Sequence, residues 1–252
     1  MPVRPTVPKE SVAVLVRDSI AALESCADSK RARGQKKYFK EQVEFLGLTS
    51  PQMREIEAEM WARVRGAWSL PAAVVYTEAL LKGKFHEIRS LGLLLLLRFR
   101  KDFPPSFPDR VHGWLAADRL DNWALVDVFC PDALGPLLEK DPGFVKDIRT
   151  WTADPNRWVK RASAVSFIKL ARRGTHLDAI YDIAARLFPV RDDLIHKATG
   201  WLLREAGKAD QPRLRAFLLK HGPAIPRTTL RYAIERFPEA ERKTLMTRTK
   251  AR

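Results

Sequence analysis

From residue 12 to residue 237 this chain reads as one helical-period segment after another, which leaves little choice of fold. Apolar residues recur at helical spacing in "SVAVLVRDSIAAL", "PQMREIEAEMWARV", "LPAAVVYTEALLKG" and "FHEIRSLGLLLLLRFRKD", the pattern of a helix with one face buried. It continues through "NRWVKRASAVSFIKLARRG", "HLDAIYDIAARLF", "DDLIHKATGWLLREAGK" and "RTTLRYAIERF". Breakers such as "FPPSFP", "TADPN", "FPVRDD" and "HGPAIP" separate the segments. No alternating run bounded by hairpin turns occurs. Ser50 is placed to cap the second segment, with Pro51 in its first turn. The prediction is an all-α chain.

The segments also repeat. Arg89, Arg161 and Lys197 each open an apolar stretch, and 36 residues separate the last two while 72, twice that, separate the first two. Three residues after each cation stands a small residue, Gly92, Ala164 or Gly200, which permits close helix approach. A period in the high thirties with two helices per unit describes a HEAT-like helical repeat solenoid of about six helix pairs. The missing unit would place its equivalent position near 125. Second helices of successive pairs line the concave face of such a solenoid, so a cation once per repeat predicts a concave basic groove. The same cations could instead pair with neighbouring acids and staple the repeats, a reading that weighs most at Arg89.

Charge narrows the partner. The chain carries 45 Lys and Arg against 30 Asp and Glu, a formal +15. A surplus of that size favours a polyanion, and a DNA duplex presents a charge every ~1.7 Å of its axis. Two distant cysteines, Cys26 and Cys130, offer neither a disulfide framework nor a zinc site. The five histidines show no ligand spacing, so no metal and no cofactor is expected. "MPVRPTVPKE" lacks the apolar core of a secretory signal, and "LGLLLLL" is too short to span a bilayer. The expectation is a monomeric cytoplasmic protein, without membrane contact, associated with the nucleoid through DNA. Residues 1–8 are read as a disordered lead, 9–238 as one repeat domain and 239–252 as a basic tail.

No phosphate-cradle, zinc-protease or serine-elbow motif is present, nor a Gly-rich hairpin of the helix-hairpin-helix kind. What remains is an interleaving of aromatic and basic residues around one acid: Trp123, Asp127, Trp158, Arg161, Lys197, Trp201 and Arg204. Trp123 lies one helical turn before Asp127, and Trp201 one turn beyond Lys197. Trp61, Trp68, Trp114 and Trp151 are read as core, and Trp158 as packing between repeats. Asp127, in the apolar run "DNWALVDVFC", has three readings: a helix cap, a buried salt-bridge partner, or a charge kept for chemistry.

"NWALVD" at 122–127, "RWVKRASAV" at 157–165 and "HKATGWLLREAGK" at 196–208 resemble the AlkD-like DNA alkylation repair family. "YFKEQVEFLGLTSPQMREI" at 38–56 and "TLRYAIERF" at 229–237 are similar to its terminal signatures, and the resemblance covers roughly residues 10 to 238. It implies HEAT-like repeats and a DNA glycosylase that removes cationic N3- or N7-alkylated purines from duplex DNA without drawing the base into a pocket. By the resemblance Asp127 is the catalytic aspartate, and Trp123 and Trp201 flank the lesion nucleotide. Arg161 holds the DNA backbone, with Tyr38 near the same groove; Lys197 and Arg204 are further DNA-binding candidates. One departure stands out: Ala124 occupies a place where the family commonly carries a second acid.

With Asp121 better placed to cap the helix, the preferred reading has Asp127 facing the groove beside Trp123. Arg161 is the partner if the salt-bridge reading holds. The competing functions are a non-catalytic binder of distorted or branched DNA and a protein-binding scaffold, and the +15 charge argues against the second.

Overall fold

The structure is a computed structural model that describes residues 11–250. The 1–8 segment lies outside the described residues, as does the end of the basic tail. Among the described residues every regular element is a helix, and the extended backbone contributes one isolated parallel bridge, Glu44 to Phe85. The fold is an all-helical repeat. Its contacts cluster into two compact units, with the boundary between Phe107 and Pro108.

The first unit holds α1 (Val12–Ser25), α2 (Ser29–Lys36), α3 (Ser50–Val64), α4 (Leu70–Leu80) and α5 (His86–Leu96), which tightens into a 3-10 helix at Leu97–Asp102. Helix α3 starts on Thr49 rather than Ser50. Thr49 accepts from the Gln52 backbone N–H, and the Gln52 side chain accepts from the Thr49 N–H at 2.9 Å. That reciprocal pair satisfies two N-terminal donors, which Ser50 at the first helical position cannot do. The segment between α2 and α3 is held by one buried carboxylate. Glu87, in the first turn of α5, accepts from the backbone N–H groups of Leu46, Gly47 and Leu48 at 3.0, 2.8 and 3.2 Å. Gly47 has φ +93°, and a Cβ there would meet the Asp28 carbonyl oxygen at 2.1 Å, so only glycine fits.

The second unit contains α6 (Phe107–Ala116) from its second residue on, α7 (Trp123–Ala133), α8 (Gly135–Lys140), α9 (Pro142–Thr150) and α10 (Arg157–Val165). It continues with α11 (Ile168–Arg172), α12 (Leu177–Leu187), α13 (Asp193–Ala209), α14 (Gln211–His221), α15 (Arg227–Ala233) and α16 (Glu239–Arg248). The sequence reads 156–174 as one helix, but it breaks between α10 and α11. There the Ser166 hydroxyl donates to the Ala162 carbonyl at 2.7 Å and the Phe167 N–H closes on Ala164, a local alternative to the helical ladder. Helix α16 covers most of the stretch set apart as a tail, and Leu245 on it is buried.

The repeat signal has a physical counterpart in both units. Arg89, Arg161 and Lys197 fall on α5, α10 and α13, and Gly92, Ala164 and Gly200 are buried on the same helices. A Cβ at Gly92 would sit 3.3 Å from the Cα of Thr77 on α4; one at Gly200 would sit 3.2 Å from the Cα of Thr229 on α15. Both threonines also donate across the gap, Thr77 to the Gly92 carbonyl and Thr229 to the His196 carbonyl, each at 3.0 Å. Small residues there let one helix backbone lie almost against the next. Trp114, Trp151 and Trp158 are core, while Trp61 and Trp68 are half-buried and packed edge-on against Phe99 and Tyr76.

Candidate nucleic-acid site

The site is built on α7, α10 and α13 of the second unit. Helix α7 begins at Trp123 because Asn122 caps it, its side-chain oxygen accepting from the Leu125 N–H at 3.1 Å. This corrects the assignment of the cap to Asp121, which instead accepts from the Asn122 amide nitrogen at 3.2 Å. Asn122 is fully buried, so the cap is also a rigid anchor. Asp127 follows Trp123 by one turn and shares its face. Four residues further on, Pro131 stands inside the helix. It has no N–H to close on the Asp127 carbonyl, so the backbone ladder is interrupted at the acid.

Asp127 is paired. Arg161 on α10 donates Nε to one carboxylate oxygen at 2.8 Å and Nη2 to the other at 2.7 Å. The salt-bridge alternative, with Arg161 as the partner, describes the observed contact. Two parallel N–H···O bonds of this kind are the strongest side-chain pairing available and fix the plane of the carboxylate. Arg161 is itself buried, and its Nη1 donates to the Leu194 carbonyl in the first turn of α13. One guanidinium therefore ties three helices together.

The pair is not sealed. The Asp127 side chain keeps 16% of its exposure, against 6% for Arg161. Burial pushes the Asp127 carboxyl above the usual carboxylate range, while the Arg161 charge and hydrogen bonds pull the other way. Burial likewise pushes the Cys130 thiol up, helped by the nearby Asp127 charge. Each carboxylate oxygen gives one lone pair to Arg161 and retains another. The arrangement can thus present an oriented negative edge while its back is neutralised.

The other expected residues separate into two groups. Lys197 and Trp201 lie on α13 beyond Leu194, both half-buried. The Lys197 ammonium donates to Asp193 at 2.9 Å, and that hydrogen bond holds its pKa above the ordinary lysine value. Leu194, whose carbonyl Arg161 holds, stands one turn before Lys197 on α13, which places Lys197 close to the Asp127–Arg161 pair along that helix. Arg204, two turns along α13, is drawn to Glu235, with its side chain only 20% exposed. Trp123 is half-buried at the start of α7. Tyr38 belongs to the first unit, in the turn after α2, and is 80% exposed. Arg89, the remaining repeat cation, is also in the first unit and buried.

The Leu194 carbonyl and Asn122 escaped the sequence reading. Of these only Asn122 left a signal: an Asx residue directly before an apolar helical run is a cap signature. No group of three or more His, Cys, Asp or Glu side chains among the described residues is arranged to hold a metal ion. No described helix is long and apolar enough to cross a membrane.

Comparison with known proteins agrees with this architecture. Among solved structures, one titled "Predicted DNA alkylation repair enzyme from Enterococcus faecalis" superposes with a TM-score of 0.72. The match spans 84% of this chain and 97% of that one at 17% identity, a level that speaks for the fold alone. No curated protein matches the chain. The sequence pattern of a family described as DNA alkylation repair enzyme matches residues 19–237, most of the length, including every element that carries the site. The chain belongs to the DNA alkylation repair enzyme family.

Proposed function

We propose that this protein is a monofunctional DNA glycosylase that hydrolyses the N-glycosidic bond of cationic N3- or N7-alkylated purines in duplex DNA. The observation that carries the reading is the partly open Asp127 carboxylate, oriented by Arg161 and standing one helical turn from Trp123. An alkylated purine already bears positive charge, so its departure needs little acid catalysis. Positive charge develops on the deoxyribose instead, as in other glycosyl hydrolyses of oxocarbenium character. A fixed carboxylate stabilises that charge and orients the attacking water.

Magnitudes temper the effect. A carboxylate ~4 Å from the sugar cation, at an effective dielectric of ~20, contributes about 4 kcal/mol. A guanidinium roughly 4 Å behind it takes back about half, leaving about 2 kcal/mol, or a factor of about 30 in rate. The faces of Trp123 and Trp201 would add about 0.5–2 kcal/mol each by cation–π attraction. In this reading Lys197, Arg204 and Tyr38 contact the sugar-phosphate backbone. Arg161 acts mainly by setting Asp127, because little of its guanidinium remains open. The substrate is alkylated duplex DNA, the protein works as a monomer in the cytoplasm, and the base is never drawn into a pocket.

The test is release of free 7-methylguanine or 3-methyladenine from methylated duplex DNA, read by chromatography, for the native chain and for Asp127→Asn. Release by the native chain and a loss of at least about 30-fold in the variant are expected. One observation favours a second reading, a non-catalytic binder of distorted or branched DNA: Ala124 stands beside an Asp127 that is already charge-paired. That reading predicts duplex binding without any base release.

A further inference from the structure

Helix α16 carries a second cationic feature, remote in sequence from the Asp127 site. A cleft between α16 and the start of α15 is lined by Arg227, Arg242, Lys243 and Lys250, with Glu239 as its one acid and Met246 and Thr247 beside them. Residues 239, 242, 243 and 246 recur at helical spacing, so they share one face of α16, and Lys250 lies just past its end. Glu239 is already engaged, accepting from Lys243 at 2.8 Å.

Arg227 meets no carboxylate in the cleft. Its guanidinium donates to the Met246 carbonyl at 2.8 Å and to the Thr249 hydroxyl at 3.1 Å, which docks α16 and leaves the positive charge uncancelled. Arg242 and Lys250 are half-buried and exposed respectively. Among the described residues no carboxylate bridges Arg227, Arg242 or Lys250, and the one acid of the cleft, Glu239, is bridged by Lys243. Lys250 follows the C-terminus of α16, where the helix dipole welcomes a cation. Arg242 has no such excuse, standing one turn inside the positive end. Four cations against one acid leave the cleft positive, and their mutual repulsion is a cost that an incoming anion removes.

We propose that this face of α16 is a second contact surface for nucleic-acid phosphates, gripping the duplex backbone apart from the Asp127 site. From Arg242 the helix runs on to Arg248, about 9 Å of axis at ~1.5 Å per residue, and Lys250 lies beyond its end. Phosphates along one strand advance about 3.4 Å of axis per nucleotide, so the two cations reach phosphates several nucleotides apart. The contact is with charge, not with base edges, and adds affinity without sequence preference.

Salt dependence tests it, because each phosphate contact contributes about 0.9 to the slope of log K against log salt for duplex DNA. Binding to an unmodified duplex is measured for the native chain, Arg242→Gln, Lys250→Gln and the double variant. Arg248→Gln, on the same helix but off the cleft face, is the control. Each cleft variant should lower the slope by about 0.9 and the double by about 1.8, with Arg248→Gln unchanged. Equal slopes in all five proteins overturn the proposal, as does a loss in Arg248→Gln equal to that in Arg242→Gln, which would mean net charge alone is being read. Competition by a polyglutamate peptide that depends on Arg242 and Lys250, with duplex slopes unaltered, also overturns it in favour of an acidic protein partner. A circular dichroism melt on each variant confirms that α16 remains folded. The inference goes beyond the glycosylase reading: a chain that releases no base but shows the slope change defeats that reading and leaves this surface standing.

Discussion

Each unit of this molecule holds an acid largely withdrawn from solvent, Glu87 on α5 and Asp127 on α7, and the two acids are held in opposite ways. Glu87 spends its oxygens on three backbone N–H groups and is 2% exposed. Asp127 is gripped by a side chain, Arg161, and stays partly open to solvent. A carboxylate that accepts from backbone organises the chain around it, and its replacement is a folding problem. One positioned by a guanidinium, with lone pairs left over, is available to a ligand. Burial alone does not mark a functional acid; the identity of what holds it does.

The sharpest way to break that contrast is to neutralise both acids. Asp127→Asn should cut base release at least about 30-fold. It also leaves the buried Arg161 without its counter-charge, a change that costs about 3–5 kcal/mol when one partner of a buried pair is lost. Release measured on protein confirmed folded by its melt separates the two effects. Glu87→Gln should instead lower stability by about 1–3 kcal/mol, since one amide oxygen cannot satisfy three N–H donors. Its denaturation midpoint should fall while base release per folded molecule holds. A Glu87→Gln variant that folds normally yet loses release would erase the distinction between the two acids.

Arg161→Lys comes next in size. A lysine keeps the charge but not the fork, so the Asp127 plane is no longer set and the link to Leu194 is lost. About a tenfold fall in release is expected, roughly 1.4 kcal/mol, with duplex affinity much less affected. If Arg161 gripped DNA directly, affinity and its salt slope would fall first.

The pH profile sharpens the same point. Release needs Asp127 ionised, and burial raises its pKa above the ordinary aspartate value despite Arg161. Activity should therefore be present at higher pH and lost as pH falls through that raised value, earlier than for an ordinary aspartate. An acid limb at or below the usual aspartate range would show that Arg161 outweighs burial.

The smallest effects compare two glycines. At Gly200 a Cβ would meet the Tyr232 Cβ at 2.4 Å and the Thr229 carbonyl at 2.7 Å, whereas at Gly34 on α2 it would meet nothing within 4 Å. Gly200→Ala should destabilise by about 1–3 kcal/mol through overpacking. Gly34→Ala should stabilise by about 0.5–1 kcal/mol, because alanine has less chain entropy to lose. Equal melting shifts would mean that Gly200 does not mark a close helix crossing.

The helices and their repeat were legible because their signals are local. Apolar spacing, Pro and Gly breaks and the basic–small pair three residues apart act within a few turns, and they placed Gly92 and Gly200 correctly at helix crossings. Errors of that kind stayed small, such as Thr49 for Ser50 and Asn122 for Asp121 at the caps. The membership of the candidate site was also readable, since Asp127, Arg161 and Lys197 do fall on three helices of one unit. What the pattern could not rank was how Asp127 is held. Its partner lies 34 residues away, and the carbonyl that anchors the partner lies 33 beyond that.

By itself, then, the sequence determined the helical class, most of the helices and which small residues let them pack, because hydrogen bonding and periodicity are settled between neighbours along the chain, while the break at Ser166 and helix α16 escaped it. Only the tertiary structure decided that Asp127 is paired, that Arg161 belongs to the acid more than to solvent, and that the basic end is a docked helix with a cleft. Each depends on which side chains meet when α7, α10 and α13, or α15 and α16, pack together. A side chain long enough to reach several partners is assigned to one of them by burial, and burial exists only once the helices have met.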